Sequence, residues 1–167
     1  MMMGSGDAGT ARGYYVEVNT NGVVINGDAQ TTFFASFSDG IALPGNEKIL
    51  AGRLLGPTAG IARYNAQNNV RWGLRFLNQR DVLAIERDNN NHIFVLGIEI
   101  INAIETPVIT RITDNGASAT VDWTRRFNDG PLNNTSRIAA TFDVSGNGDM
   151  VYVDGRSSSQ NNMPMLE

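Results

Sequence analysis

Among its 167 residues the chain has no cysteine, a single histidine and a single lysine. Without cysteine, neither a disulfide framework nor a thiolate metal site can form. With His92 alone, a histidine-based metal cluster is excluded, and any Ser/His/Asp triad would have to use His92 as its base. No Gly-x-Ser-x-Gly elbow offers a serine to such a base. An ordinary turn histidine is the expectation for His92. A basic arm is also missing, and the net charge is −4, so nucleic acid is not expected as a partner. No apolar run approaches the length of a membrane span, and residues 1–12 lack the basic and apolar regions of a secretory signal. A soluble protein made in the cytoplasm without a signal peptide is expected, with no membrane partner. The overlapping sequons at Asn133 to Ser136 then mark only a polar loop.

What is present is alternation. In Val70 to Leu77, the apolar Val70, Trp72, Leu74 and Phe76 alternate with Arg71, Gly73 and Arg75, which predicts a strand with one apolar and one basic face. Similar short segments recur along the chain, separated by Asn-Gly, Asp-Gly and Asn-rich turns at the spacing of a sandwich or barrel. His92 to Ile104 is the most hydrophobic run and is apolar on both faces, as a strand central in a layered core would be. Residues 46–55 read as a short helix capped by Asn46 or as a loop between sheets. Asn26-Gly27-Asp28 and Ser38-Asp39-Gly40 read as turns. No internal repeat is evident at this level. The expected architecture is an all-β, antiparallel β-sandwich, jelly-roll-like or a related Greek key, of about 8 to 10 strands. Its domain should span residues 13–155, between a flexible arm (1–12) and a polar tail (156–167).

Candidate chemistry is sparse. Gly4-Ser5-Gly6-Asp7-Ala8-Gly9 has the glycine spacing of a dinucleotide fingerprint but no strand before it and no helix after it, so no cofactor is expected. Asp143, Ser145, Asn147, Asp149 and Asp154 approach the ligand spacing of a calcium loop, yet their flanks read as strands where an EF-hand needs helices. They are weak metal candidates, and a solvated hairpin loop accounts for them. Glu86 with Glu99, or Asp122 with Glu105, could form a glycosidase pair if folding brought them together. Glu99 stands inside the apolar run, where an arginine of a facing strand, Arg71 or Arg75, could answer it. Trp72 and Trp123 could build a sugar-stacking platform, although alternation places both in the core.

These features favour a non-enzymatic structural protein that self-assembles, best exemplified by a viral capsid or phage head-decoration subunit, located in the virion. The expected partners are further copies, a trimer for instance, and a capsid shell protein. Interface candidates are Arg71 and Arg75 on the basic face and Met163, Met165 and Leu166 in the tail. A lectin-like carbohydrate-binding sandwich is the alternative, and a glycoside hydrolase on the same scaffold the third reading.

Overall fold

The computed structural model describes residues 2–6, 12–30, 33–101, 103–127, 137–149, 151–157 and 164–166. Among the described residues, fourteen strands run antiparallel in four sheets. The first sheet is β1 (Met2–Gly6), β2 (Arg12–Val18) and β3 (Val24–Gln30). The second is β4 (Phe34–Ala42), β5 (Lys48–Leu54), β6 (Ala59–Tyr64) and β7 (Val70–Phe76). The third is β8 (Gln79–Arg87), β9 (His92–Ile101), β10 (Ile104–Asp114) and β11 (Ala119–Arg126). The fourth is β12 (Arg137–Val144), β13 (Val151–Ser157) and β14 (Pro164–Leu166).

The protein is thus all-β, with antiparallel sheets packed face to face, as the alternation predicts. Its connectivity is simpler than a Greek key. Within every sheet, neighbours in space are neighbours in sequence, so each sheet is a meander and each meander stacks on the one before it. β1 and β2 lie on β4; β8 lies on β4, β5 and β6; β12 lies on β8, β9 and β10.

Two central strands show why this stack forms. β5 and β9 are apolar on both faces because each lies between two neighbouring sheets. Leu50 joins Tyr15, Phe34, Ala62 and Tyr64 between the first two sheets, while Ile49 and Ala51 meet Ile93, Val95 and Ile112 between the second and third. Phe94 and Leu96, on the other side of β9, pack with Ile109 and Phe142 toward the fourth. The strand with the clearest alternation, β7, buries Trp72 and Phe76 in the middle layer, and Val70 at its edge is exposed.

Two irregularities recur from sheet to sheet, which sequence reading did not detect. A bulge opposite a glycine marks the first two strands of the second, third and fourth sheets: Phe37 pairs with Gly52 and Asp39 with Ala51; Val82 with Gly97 and Ala84 with Leu96; Ala139 with Gly155 and Thr141 with Asp154. The glycine is required by close approach, since a Cβ on Gly52 would overlap the Ser36 carbonyl oxygen. A second bulge marks the last two strands: Glu17/Val18 against Asn26/Val24, Arg63/Tyr64 against Trp72/Val70, and Arg111/Ile112 against Trp123/Val121. Four hairpin turns, 19–23, 65–69, 88–92 and 145–149, share a positive φ at their fourth residue, namely Gly22, Asn68, Asn91 and Gly148. In three of them the side chain of the first residue, Asn19, Asn65 or Asp88, accepts from the amides two and four residues on.

Several expectations need correction. Residues 48–54 are strand, not helix; the sole helical feature among the described residues is a 3-10 turn at Pro44–Asn46, because Ile49, Leu50 and Ala51 fill layers on both sides of a sheet. Asn26-Gly27-Asp28 lies within β3 and Ser38-Asp39-Gly40 within β4, where the carboxylate of Asp39 accepts the Ile85 amide of the next sheet at 2.8 Å. The segments read as arm and tail contain β1 and β14, which pair with β2 and β13 of their own chain. Gly4 and Gly6 are therefore strand residues. The sequons and Met163 lie outside the described residues.

Candidate functional site

Polar side chains concentrate where one sheet meets the next. Between the first and second sheets Lys48, 0% exposed, places Nζ 2.8 Å from the Tyr15 hydroxyl, 2.9 Å from Asn68 Oδ1 and 3.4 Å from Glu17 Oε1. The Tyr15 ring centroid is 4.4 Å from the same nitrogen, so a cation–π contact completes the shell. Between the second and third sheets, Arg63 donates to Glu47 Oε2 and, at 2.7 Å, to Asp114 Oδ2, whose other oxygen accepts Trp72 Nε1 at 3.1 Å. Burial lowers the basicity of Arg63, but the bonds to Glu47 and Asp114 outweigh it and hold its pKa above the ordinary value. The bond from Arg63, with help from Arg71, holds Glu47 below the usual carboxylate range despite the opposing desolvation.

The counterpart of Arg63 in the third sheet is Arg111, and it too sits in a chain of polar groups. His92 Nδ1 is 2.7 Å from Asp88 Oδ2, and His92 Nε2 is 2.7 Å from Arg111 Nη2. A guanidinium only donates, so Nε2 accepts and the ring proton lies on Nδ1, facing Asp88. The nitrogen that a triad would use as base is occupied. Burial pushes the Asp88 carboxyl up, but the His92 ring and the amides of His92 and Asn90 outweigh it and hold it below its ordinary value. The Asp88 turn also seats on the next turn: Asn89 N donates to Gly146 O and Asn90 Nδ2 to Asn147 O.

A surface cleft of about 630 Å³ is lined by Leu77, Asn78, Glu99, Ile100, Ile101 and Arg126. Its centre is an ion pair, Arg126 Nε to Glu99 Oε2 at 2.5 Å, with the Glu99 side chain buried and the arginine half exposed. This bond raises the pKa of Arg126. Glu99 is thus answered by an arginine, but by neither Arg71 nor Arg75. β7 belongs to another sheet, whereas β11 lies two strands from β9 in the same sheet, so Arg126 reaches across β10. An adjoining hollow is lined by Gln79, Thr124 and Phe76, where Gln79 donates to Thr110 and Thr110 bonds Thr124.

The remaining candidates scatter. Glu86 pairs with Phe94, five positions before Glu99 on β9, about 17 Å along the strand at roughly 3.3 Å per residue. Glu105 and Asp122 are farther apart still, at opposite ends of β10, and both pairs exceed the roughly 5 to 9.5 Å that glycosidases use. Glu86 instead has a raised carboxyl pKa, from burial first and then from Asp143 and Asp39. Trp72 is 7% exposed and cannot offer a ring face to a sugar; Trp123 is half-buried and meets Phe94 edge-on. Arg71 pairs with Glu47 at 2.5 Å, and Arg75 donates to Thr58 at 2.9 Å, so the basic stripe is bonded within the chain. Asp143, Ser145, Asn147 and Asp149 surround the last repeated turn; Ser145 donates to Asn147, Asn147 to Asp149, and Asp143 accepts the Val144 amide. Asp154 lies on β13 opposite Thr141 and Leu166, and Met165 opposite Gly155. Among the described residues, no group of three or more His, Cys, Asp or Glu could hold a metal ion, and no helix is long and apolar enough to cross a membrane.

Sequence reading missed the tie between Arg63 and Asp114 and the chain through His92. A signal for the repeat was present: Val-x-Trp-x-x-x-Phe occurs at Val70, Trp72 and Phe76 and again at Val121, Trp123 and Phe127. No protein-family model matches this chain, and no curated protein matches it in sequence.

Proposed function

We propose that the protein is a non-enzymatic scaffold that works by surface contact with copies of itself or with a partner protein. One observation carries this reading. The charged and titratable groups best placed for chemistry are committed to bonds within the fold: Lys48 with Tyr15 and Arg63 with Asp114 tie neighbouring sheets, and Asp88 with His92 ties the β8–β9 hairpin to Arg111 of β10. A virion coat or head-decoration subunit is a special case of such a scaffold. Its support is narrower than the sequence suggested, because the arm and tail strands pair within their own chain. The acidic net charge and arginine-rich cation set remain in favour of protein contacts.

Light scattering coupled to size exclusion tests this reading. Particles that are multiples of the 18.1 kDa chain, or a stable complex with a partner protein, are expected. A chain that stays single and turns over a glycoside with loss of activity in Glu99→Gln would overturn it.

A further inference from the structure

Among the described residues, the two end sheets of the stack each pack on one neighbouring sheet. In the first sheet, Tyr15 and Glu17 point to the second sheet, so by alternation Tyr14, Val16 and Val18 point away from it. That outward face is apolar and open: Tyr14 is 39% exposed, and Val24, paired with Val18, is 61% exposed. Aligning the bulges identifies its counterparts. Val18 corresponds to Tyr64 of β6 and Ile112 of β10, and Val16 to Ala62. Ala62 and Tyr64 are covered by the first sheet, and Ile112 by the second. In the second and third sheets this face is therefore buried against the meander that precedes it.

The fourth sheet presents the complementary face. Its β12 and β13 carry the same glycine bulge as β4 and β5 and as β8 and β9, and Phe142 faces the third sheet. Its other face corresponds to the faces of the second and third sheets that receive the next meander. We infer that the outward face of the first sheet, around Tyr14, Val16 and Val24, seats the fourth sheet of a second copy of this chain. The contact continues the interface that the chain already makes three times within itself. It is heterologous, joining different faces of the two copies, so it produces a ring if the rotation closes and a filament if it does not. This rests on the self-assembly branch of the proposed function and names its surface.

Sedimentation velocity over a concentration series tests it. The natural chain should populate multiples, and a Tyr14→Lys/Val24→Lys double variant should lose them while keeping its far-ultraviolet β signature. Leu77→Lys, at a 76% exposed apolar position in the cleft, should keep them. Because the chain has no cysteine, a mixture of Tyr14→Cys and Asp143→Cys chains treated with a bismaleimide linker reports orientation, and mixed pairs are expected. Multiples that persist in the double variant overturn the inference while leaving self-assembly standing. Tyr14→Cys chains that join only to one another overturn it as well, by showing first sheet on first sheet. A natural chain that is single at every concentration overturns both the inference and self-assembly.

Discussion

Arg63, on the second sheet, donates to Asp114, on the third, at 2.7 Å, and Asp114 in turn holds the indole nitrogen of Trp72 back on the second sheet. Asp114 is almost fully buried, so its charge depends on that guanidinium. Replacing Arg63 by methionine should destabilise the fold by about 2 to 4 kcal/mol, the range for stranding one member of a buried pair. Urea unfolding checks this. Arg71→Ala, which removes an exposed partner of Glu47, should change the midpoint little.

Two of the three bulge glycines, Gly52 and Gly97, should differ in tolerance. A Cβ on Gly52 meets main-chain atoms of Ser36 and Phe37, whereas on Gly97 the nearest atom belongs to the Gln79 side chain. Gly52→Ala should therefore cost more than about 3 kcal/mol or prevent folding, since backbone must shift. Gly97→Ala should cost less, and Gln79→Ala in the same chain should recover part of the loss. Thermal melts of the three variants decide it.

Lys48 is the other buried cation. Lys48→Met removes the cation facing Glu17 and the Tyr15 hydroxyl, leaving Glu17 its bond from Asn26 Nδ2 and the hydroxyl its bond to Asn68 Oδ1, and should cost about 2 to 4 kcal/mol. Adding Glu17→Gln should return part of this, because the orphaned charge is then removed. A double-mutant cycle by chemical denaturation measures the coupling.

Acid sensitivity should carry two opposite signs. The Asp88 carboxyl is held below its ordinary value, so its contribution is complete above the unfolded pKa and is lost as pH falls through the lower, folded one. Asp88→Asn should flatten that acid limb and lower stability at neutral pH. Glu86 is held above its ordinary value, so its ionised form carries a penalty that grows as pH rises through the folded pKa and is absent in acid. Glu86→Gln should be slightly stabilising at neutral pH and neutral in acid, the effect being small because the side chain is exposed. Melting temperature against pH for both variants separates the two.

Much of the fold was legible because period-2 alternation and turn chemistry are local. β7 and the turns at Asn65 to Asn69 and from Asp88 stand where those signals put them, whereas the run His92 to Ile104 is split, β9 ending at Ile101 and Ile104 opening β10. The failures share one cause, which is that tertiary context overrode local propensity. Asn26-Gly27 can turn, but pairing with β2 keeps it extended, and residues 48–54 can start a helix, but sheets on both sides require a strand. The repeat escaped because it is conserved as geometry, a glycine facing a bulge, while the side chains around it vary from Lys48 to Ile93 and from Asn26 to Trp72. The partners of Glu99 and Arg63 were unreadable because both depend on which sheet a strand joins. That choice is made by layer packing, not by the strand's own sequence.

The central claim is that the chain assembles by extending its own stack, covering the outward face of its first sheet. Amide hydrogen exchange at low and high protein concentration tests this most directly. Peptides spanning β2 and β3 should gain protection at high concentration, while those spanning β5 and β9, already covered on both faces, stay unchanged. Exchange in β2 and β3 that is identical at both concentrations would contradict it.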